Sequence, residues 1–267
     1  MTSLASWSGV DSRGPSSIYL VSDSRISWVG TPSSFDFGSK VFASSASTDM
    51  FSYCGDVLFP VIALGQIESL VTEDILDFEH LSSTQRHSEV ATLLKGAFDG
   101  FPKAHQAPFS ILHAGREGAG MDSQFRLWTL KWEPVSGWTD TEIGLKAESV
   151  LLSALGSGHQ VLTSYEAMWS EKIGRTSRGV FGAFCDALCS GADPYTGGAP
   201  QIARLYRQGT ARHIGVIYQG KRYLRGMEVP RHFNLRSVEW RNELFELCDG
   251  VSMERLTAAQ HHARPTI

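Results

Sequence analysis

The run Met1-Thr2-Ser3-Leu4-Ala5-Ser6-Trp7-Ser8, the segment Gly9-Val10-Asp11-Ser12-Arg13-Gly14-Pro15, and then Ser17-Ile18-Tyr19-Leu20-Val21-Ser22-Asp23-Ser24-Arg25 carry most of what the chain says about its fold. Residues 3–7 and 17–22 are rich in apolar, aromatic and β-branched side chains, and the segment between them is turn-forming. They read as a β-hairpin that begins at the first residues. Thr2 also has a chemical reading. Initiator methionine is usually removed before a small residue, and a threonine left at the terminus holds a hydroxyl and an α-amine that titrates near neutrality. One residue then supplies nucleophile and base, although Met-Thr opens very many chains and alone says almost nothing.

Outward from this hairpin, short strands are expected at 40–43 and 50–54, the second closed by Gly55-Asp56. Two helices follow. Pro60 suits the first turn of one reaching about residue 76, and Ser83 or Thr84 can cap another whose Val90, Leu93, Leu94, Ala97 and Phe98 share a face. Strands are expected at 109–114, 125–132 and 149–155, with the Gly-rich segment 115–120 as a hairpin loop. A hairpin loop suits this segment better than a phosphate cradle, because no helix pattern follows it. A second helical pair spans 161–172 and 178–189, then strands at 202–207, 212–218 and 221–225. This order predicts an α+β fold: two antiparallel sheets stacked between two helical layers, an αββα sandwich. Residues 1–225 form the domain. Residues 226–267 are a C-terminal extension with an amphipathic helix at 238–247 and a frayed tail in which adjacent His261 and His262 do not suit a metal.

At 267 residues, 42% hydrophobic and 19% charged, the chain can bury a sizeable core in one domain. Its net charge of -4 gives no basic footprint for nucleic acid or anionic membrane. The absence of a signal-peptide pattern or a long apolar run predicts a cytoplasmic protein. Cys54, Cys185, Cys189 and Cys248 do not resemble a secreted disulfide framework and read as buried thiols. No cofactor or metal motif stands out.

A catalytic terminal threonine needs a nearby cation, a carboxylate to hold it and donors for the oxyanion. Asp23 ends the second strand and should lie near Thr2 if that strand pairs with the first. Lys40 opens the next strand, where it would lower the pKa of the Thr2 amine while Asp23 compensates its charge. Composition and spacing alone favour the plainer reading, in which Asp23 and Arg25 are turn residues and Lys40 is a solvated strand end.

The stretch 18–25, an apolar strand ending in an acid, a spacer and an arginine, resembles the second-strand motif of proteasome β-type subunits and their bacterial relatives. Lys40 falls where those subunits carry their catalytic lysine, and Cys54-Gly55 approximates their oxyanion glycine, allowing one inserted residue after Lys40. Leu155-Gly156-Ser157-Gly158 is similar to the family's Gly-Ser-Gly turn. Asp193-Pro194-Tyr195-Thr196-Gly197-Gly198 is similar to its Asp-x-x-Ser-Gly-Gly, with Thr196 in place of serine. The resemblance covers residues 2–225, and the loop 30–39, the strands after Gly198 and the C-terminal extension have no clear counterpart. It implies Thr2 as nucleophile, Asp23 and Lys40 as the charge pair beside it, Ser157, Asp193 and Thr196 as the network positioning the amine and a water, Gly55 as oxyanion donor, and Arg25 as structural support.

The implied function is a threonine-type endopeptidase acting on peptides or unfolded proteins through an acyl-enzyme on Thr2 after Met1 removal. It also implies homo-oligomeric rings, and the short start before Thr2 resembles the simpler bacterial members rather than the eukaryotic subunits. With no ATP-binding motif in the chain, any energy-dependent unfolding requires a separate ATPase. Two alternatives share the resemblance: an N-terminal-nucleophile amidohydrolase of a small amide, and an inactive scaffold subunit. Phe51 and Tyr53 suggest an apolar substrate pocket.

Overall fold

The computed structural model describes residues 2–28, 30–31, 33–76, 78 and 80–266, so Met1 lies outside the described residues. The chain opens with a hairpin of β1 (Leu4–Asp11) and β2 (Gly14–Ser22), in which Leu4 faces Ser22. The small pair β3 (Ile26–Ser27) and β4 (Ser34–Phe35) follows, then β5 (Val41–Ala43) and β6 (Asp49–Gly55). Helices α1 (Leu58–Thr72) and α2 (Ser83–Asp99) come next. Strands β7 (Phe109–Glu117), β8 (Gln124–Glu133), β9 (Gly137–Glu142) and β10 (Leu151–Leu155) separate them from helices α3 (His159–Ile173) and α4 (Ser177–Ser190). The rest is β11 (Gln201–Tyr206), β12 (Arg212–Tyr218), β13 (Lys221–Leu224), β14 (Met227–Glu228), β15 (Trp240–Asn242) and β16 (Leu247–Cys248).

The fold is mixed α+β. One sheet runs β10-β1-β2-β11-β12-β13-β14 with β15 and β16 attached beside β12, and a second runs β5-β6-β7-β8-β9. Three buried clusters show what each face packs against. Trp7, Tyr19, Val21 and Ile202 of the first sheet meet Leu162 and Trp169 of α3 and Phe181 and Phe184 of α4. Phe51, Tyr53, Phe109 and Leu130 of the second sheet meet Leu64 and Ile67 of α1 and Val90, Leu94 and Phe98 of α2. The third cluster draws Leu4, Ile18, Leu20 and Leu205 from the first sheet and Val41, Met50, Leu112 and Leu127 from the second. Strand alternation causes this division, because Tyr19 and Val21 point one way and Ile18 and Leu20 the other. Packing specifies register strongly here, since a one-residue slip would exchange those faces.

Helix ends follow local chemistry. Ser82 caps α2 in a reciprocal box with Gln85, one residue ahead of the expected cap, and α1 starts two residues before Pro60 and stops at Thr72. No helix among the described residues is long and apolar enough to cross a membrane.

Four expectations are corrected. Residues 238–247 form no helix: β15 pairs parallel to β12, Gly215 facing Trp240, so the first sheet is not wholly antiparallel. The helix is prevented by an Asn242 turn, whose side-chain oxygen accepts the amides of Leu244 and Glu246 while Phe245 takes φ 61°. The tail is not frayed, because Arg264 pairs with Asp186 of α4 and with Glu243, and His262 donates its amide to Glu246. Cys189 is exposed, whereas the other three thiols are buried. Phe51 and Tyr53 are core residues under α1 and α2 rather than pocket walls.

Candidate active site

Pairing of β1 with β2 brings the start of the chain beside the end of the second strand. The Asp23 amide donates to the Ser3 carbonyl at 3.1 Å, and the Ser3 amide returns to Asp23 Oδ1 at 3.0 Å. Asp23 thus sits just past the ladder, with its carboxylate turned back across Thr2. Lys40, immediately before β5, approaches from the other sheet. Its Nζ lies 2.8 Å from Asp23 Oδ1 and 3.0 Å from Thr2 Oγ1. Asp23 and Lys40 are each 0% exposed and Thr2 1%. The plainer reading of Lys40 as a solvated strand end is therefore overturned.

A buried ion pair persists only if its remaining lone pairs are satisfied. Asp23 meets this condition, since Oδ2 accepts the Arg25 amide and the Gly197 amide, both at 3.1 Å. The carboxylate thus receives three backbone N–H groups besides the ammonium. Beside it, burial pushes the Cys54 thiol up to about 11, with Lys40 opposing that rise and Asp23 adding to it. The end of β6 therefore lies within electrostatic reach of the pair.

The turn after β10 closes over Thr2 from the opposite side. Ser157 Oγ accepts from the Thr2 nitrogen at 3.2 Å, and the Gly158 amide donates to the Thr2 carbonyl at 3.3 Å. Gly156 has φ 86°, and a Cβ there would stand 2.0 Å from the Thr2 carbonyl oxygen. Only glycine permits this approach.

The loop 193–198 forms the third wall. Thr196 donates its hydroxyl to the Asp193 carbonyl at 3.2 Å, and Asp193 Oδ1 accepts the Tyr195 amide at 3.0 Å. Asp193 Oδ2 is buried with no hydrogen-bond partner among the described residues. Thr196 lies against Gly158, where a Cβ would meet its methyl at 3.0 Å. Arg25 anchors the loop from beneath. It forms a fork with Asp36, both contacts 2.8 Å, and donates to the Pro194 carbonyl at 3.3 Å. The Asp36 hydrogen bond raises the Arg25 pKa and the reciprocal bond lowers that of Asp36.

Gly55 ends β6 with φ 97°, where any Cβ would lie 2.5 Å from the Pro108 carbonyl. Thr2, Asp23, Lys40 and Ser157 are joined directly, while Asp193 and Thr196 bond chiefly to their own loop. Sequence reading missed Asp36, which holds Arg25, and Gln201, a polar side chain one strand away from Ser22 in the β2–β11 register. An uncharged amide between the Gly-Gly turn and the apolar run that follows it was the available signal for Gln201.

Among the described residues no group of three or more His, Cys, Asp or Glu is placed to hold a metal ion. The arrangement can orient a hydroxyl and stabilise negative charge on it: Thr2 Oγ1 accepts from the Lys40 ammonium, which is itself held by a fully hydrogen-bonded carboxylate. No protein-family model matches the chain, and no curated protein matches it in sequence.

Proposed function

We propose that the protein is a threonine-type peptidase of the proteasome-like, N-terminal-nucleophile class, active once the peptide bond before Thr2 is cleaved. The observation that carries this reading is a buried Lys40 Nζ within 3.0 Å of both Thr2 Oγ1 and Asp23 Oδ1, the three residues coming from segments separated by 17 residues or more. Such a pair between two sheets is costly to bury and contributes little net stability, so a chemical role accounts for it better than a structural one. The three packed clusters are consistent with the finer architecture, a four-layer αββα sandwich.

Thr2 nitrogen, already bonded to Ser157, becomes a free amine on cleavage. Lys40 disfavours its protonation, leaving it able to take the Oγ1 proton as Oγ1 attacks the substrate carbonyl. The Gly55 amide is the oxyanion donor in this reading. Collapse of the tetrahedral intermediate breaks the C–N bond, the amine leaves with the proton from Thr2, and an ester remains on Oγ1. Water activated by the same amine then hydrolyses that ester. The resemblance further supports a cytoplasmic homo-oligomeric ring that receives peptide or protein unfolded by a separate ATPase.

Mass spectrometry of the purified protein for a chain beginning at Thr2, followed by labelling with an electrophile directed at terminal threonine, tests the proposal. A chain retaining Met1, with wild type and Thr2→Ala equally active on peptides, refutes it. Active protein that forms only a dimer or tetramer and cleaves small amides in preference to peptides would transfer the reading to an amidohydrolase.

A further inference from the structure

The charge pair draws its partners from different sheets. Asp23 follows β2 in the first and Lys40 precedes β5 in the second, so their 2.8 Å contact depends on how the two sheets are held at this end. Gln201, the first residue of β11 and 1% exposed, spans that gap. Its Oε1 accepts the amides of Lys40 at 2.8 Å and Val41 at 3.2 Å. Its Nε2 donates to the carbonyls of Asp23 at 3.0 Å and Gly38 at 2.8 Å, and faces Ser24 Oγ at 3.3 Å.

The orientation of this amide is fixed by its partners. Backbone N–H groups can meet only the oxygen and carbonyls only the NH2, so the flipped amide would oppose donor to donor and acceptor to acceptor. Every contact falls on residues 23, 24, 38, 40 or 41. A polar side chain buried only for local satisfaction has no need to reach the backbone of both members of the ion pair. Glutamate in its place would turn an acceptor toward two carbonyls, and leucine would leave two amides and two carbonyls without this partner.

We infer that Gln201 is a positioning residue, a clamp that sets the backbone of Asp23 and Lys40 at the separation the Thr2 site uses. The catalytic side of this inference rests on the function proposed above, while the clamp itself does not. Two measurements on the full-length chain separate them, using Gln201→Leu and the isosteric Gln201→Glu. The first is hydrogen exchange at the Lys40 and Val41 amides. In Gln201→Leu both should exchange at least about 10-fold faster, with helix α2 unchanged as a control for folding, whereas Gln201→Glu keeps the acceptor and most of their protection. The second is the rate of Thr2 labelling against pH. A displaced ammonium should slow labelling about 10- to 100-fold in Gln201→Leu and shift the profile to higher pH, with Gln201→Glu intermediate.

Unchanged exchange at residues 40 and 41 in Gln201→Leu overturns the clamp. Faster exchange with an unaltered labelling rate and profile overturns its role in positioning the site. If wild-type Thr2 takes up no label after cleavage, the proposed function fails, and the exchange measurement alone decides the clamp.

Discussion

Removing either member of the buried charge pair should not cost the same. At 2.8 Å the Lys40–Asp23 attraction is about 6 kcal/mol at an effective dielectric near 20, and desolvating each ion costs several kcal/mol, so the pair is close to neutral for stability. What differs is what each partner leaves behind. After Lys40→Met, the Asp23 carboxylate still accepts the amides of Ser3, Arg25 and Gly197 at 3.0–3.1 Å. The expected loss is about 1–2 kcal/mol. Asp23→Asn has no such refuge. Both carboxylate oxygens accept from two donors each, so the amide NH2 must oppose either the Ser3 amide and the ammonium or the amides of Arg25 and Gly197. With the Lys40 ammonium left uncompensated as well, about 3–5 kcal/mol should be lost. Urea denaturation at neutral pH, read as a change in midpoint at constant slope, measures both. Lys40→Met proving as destabilising as Asp23→Asn, or more so, refutes the reasoning. Restoring stability in the double variant relative to Asp23→Asn alone would identify the stranded ammonium as the main cost.

Gly156→Ala places a Cβ on the Thr2 carbonyl at φ 86°, so Thr2 labelling should fall at least about 10-fold while far-ultraviolet circular dichroism stays native. Burial, and then the neighbouring His113 imidazole, lowers the His87 pKa below its ordinary 6.5, so the native state binds this proton less readily than the unfolded chain. Its contribution is complete above about pH 6.5 and is lost as pH falls through the lowered value. His87→Gln should therefore flatten the urea midpoint against pH just below 6.5, and an unchanged slope would count against the assignment. Phe98 packs edge-on against Phe59, Phe109, Trp132 and Trp138, and Phe98→Ala should cost about 3–5 kcal/mol in thermal or urea unfolding. Because that cluster lies between the second sheet and its helices α1 and α2, the labelling rate of the folded fraction should not change.

Much of the secondary structure was legible because one-sided burial writes a period into the sequence. The 17–22 run reads correctly as the core of β2 because Ile18 and Leu20 serve one cluster and Tyr19 and Val21 another. Strand β9 went unread, since Thr139-Asp140-Thr141-Glu142 is an exposed edge with no apolar alternation to detect. The 238–247 segment was misread because its apolar spacing suits a helix as well as a strand, and the Asn242 turn and the free side of β12 decided between them. The separation of Asp23 and Lys40 from ordinary turn residues required order along the chain, and their burial could not be read from either residue alone.

The chain by itself determines the alternation of faces, because one-sided burial writes a local period, and the order of Thr2, Asp23, Lys40, Ser157, Asp193 and Thr196. Only the tertiary structure decides that Lys40 is buried against Asp23, that Arg25 is tied to Asp36 and that Gln201 joins the two sheets. Those contacts link residues whose partners lie in other strands, and a side chain's reach across 161 positions of sequence becomes visible only once both sheets are packed.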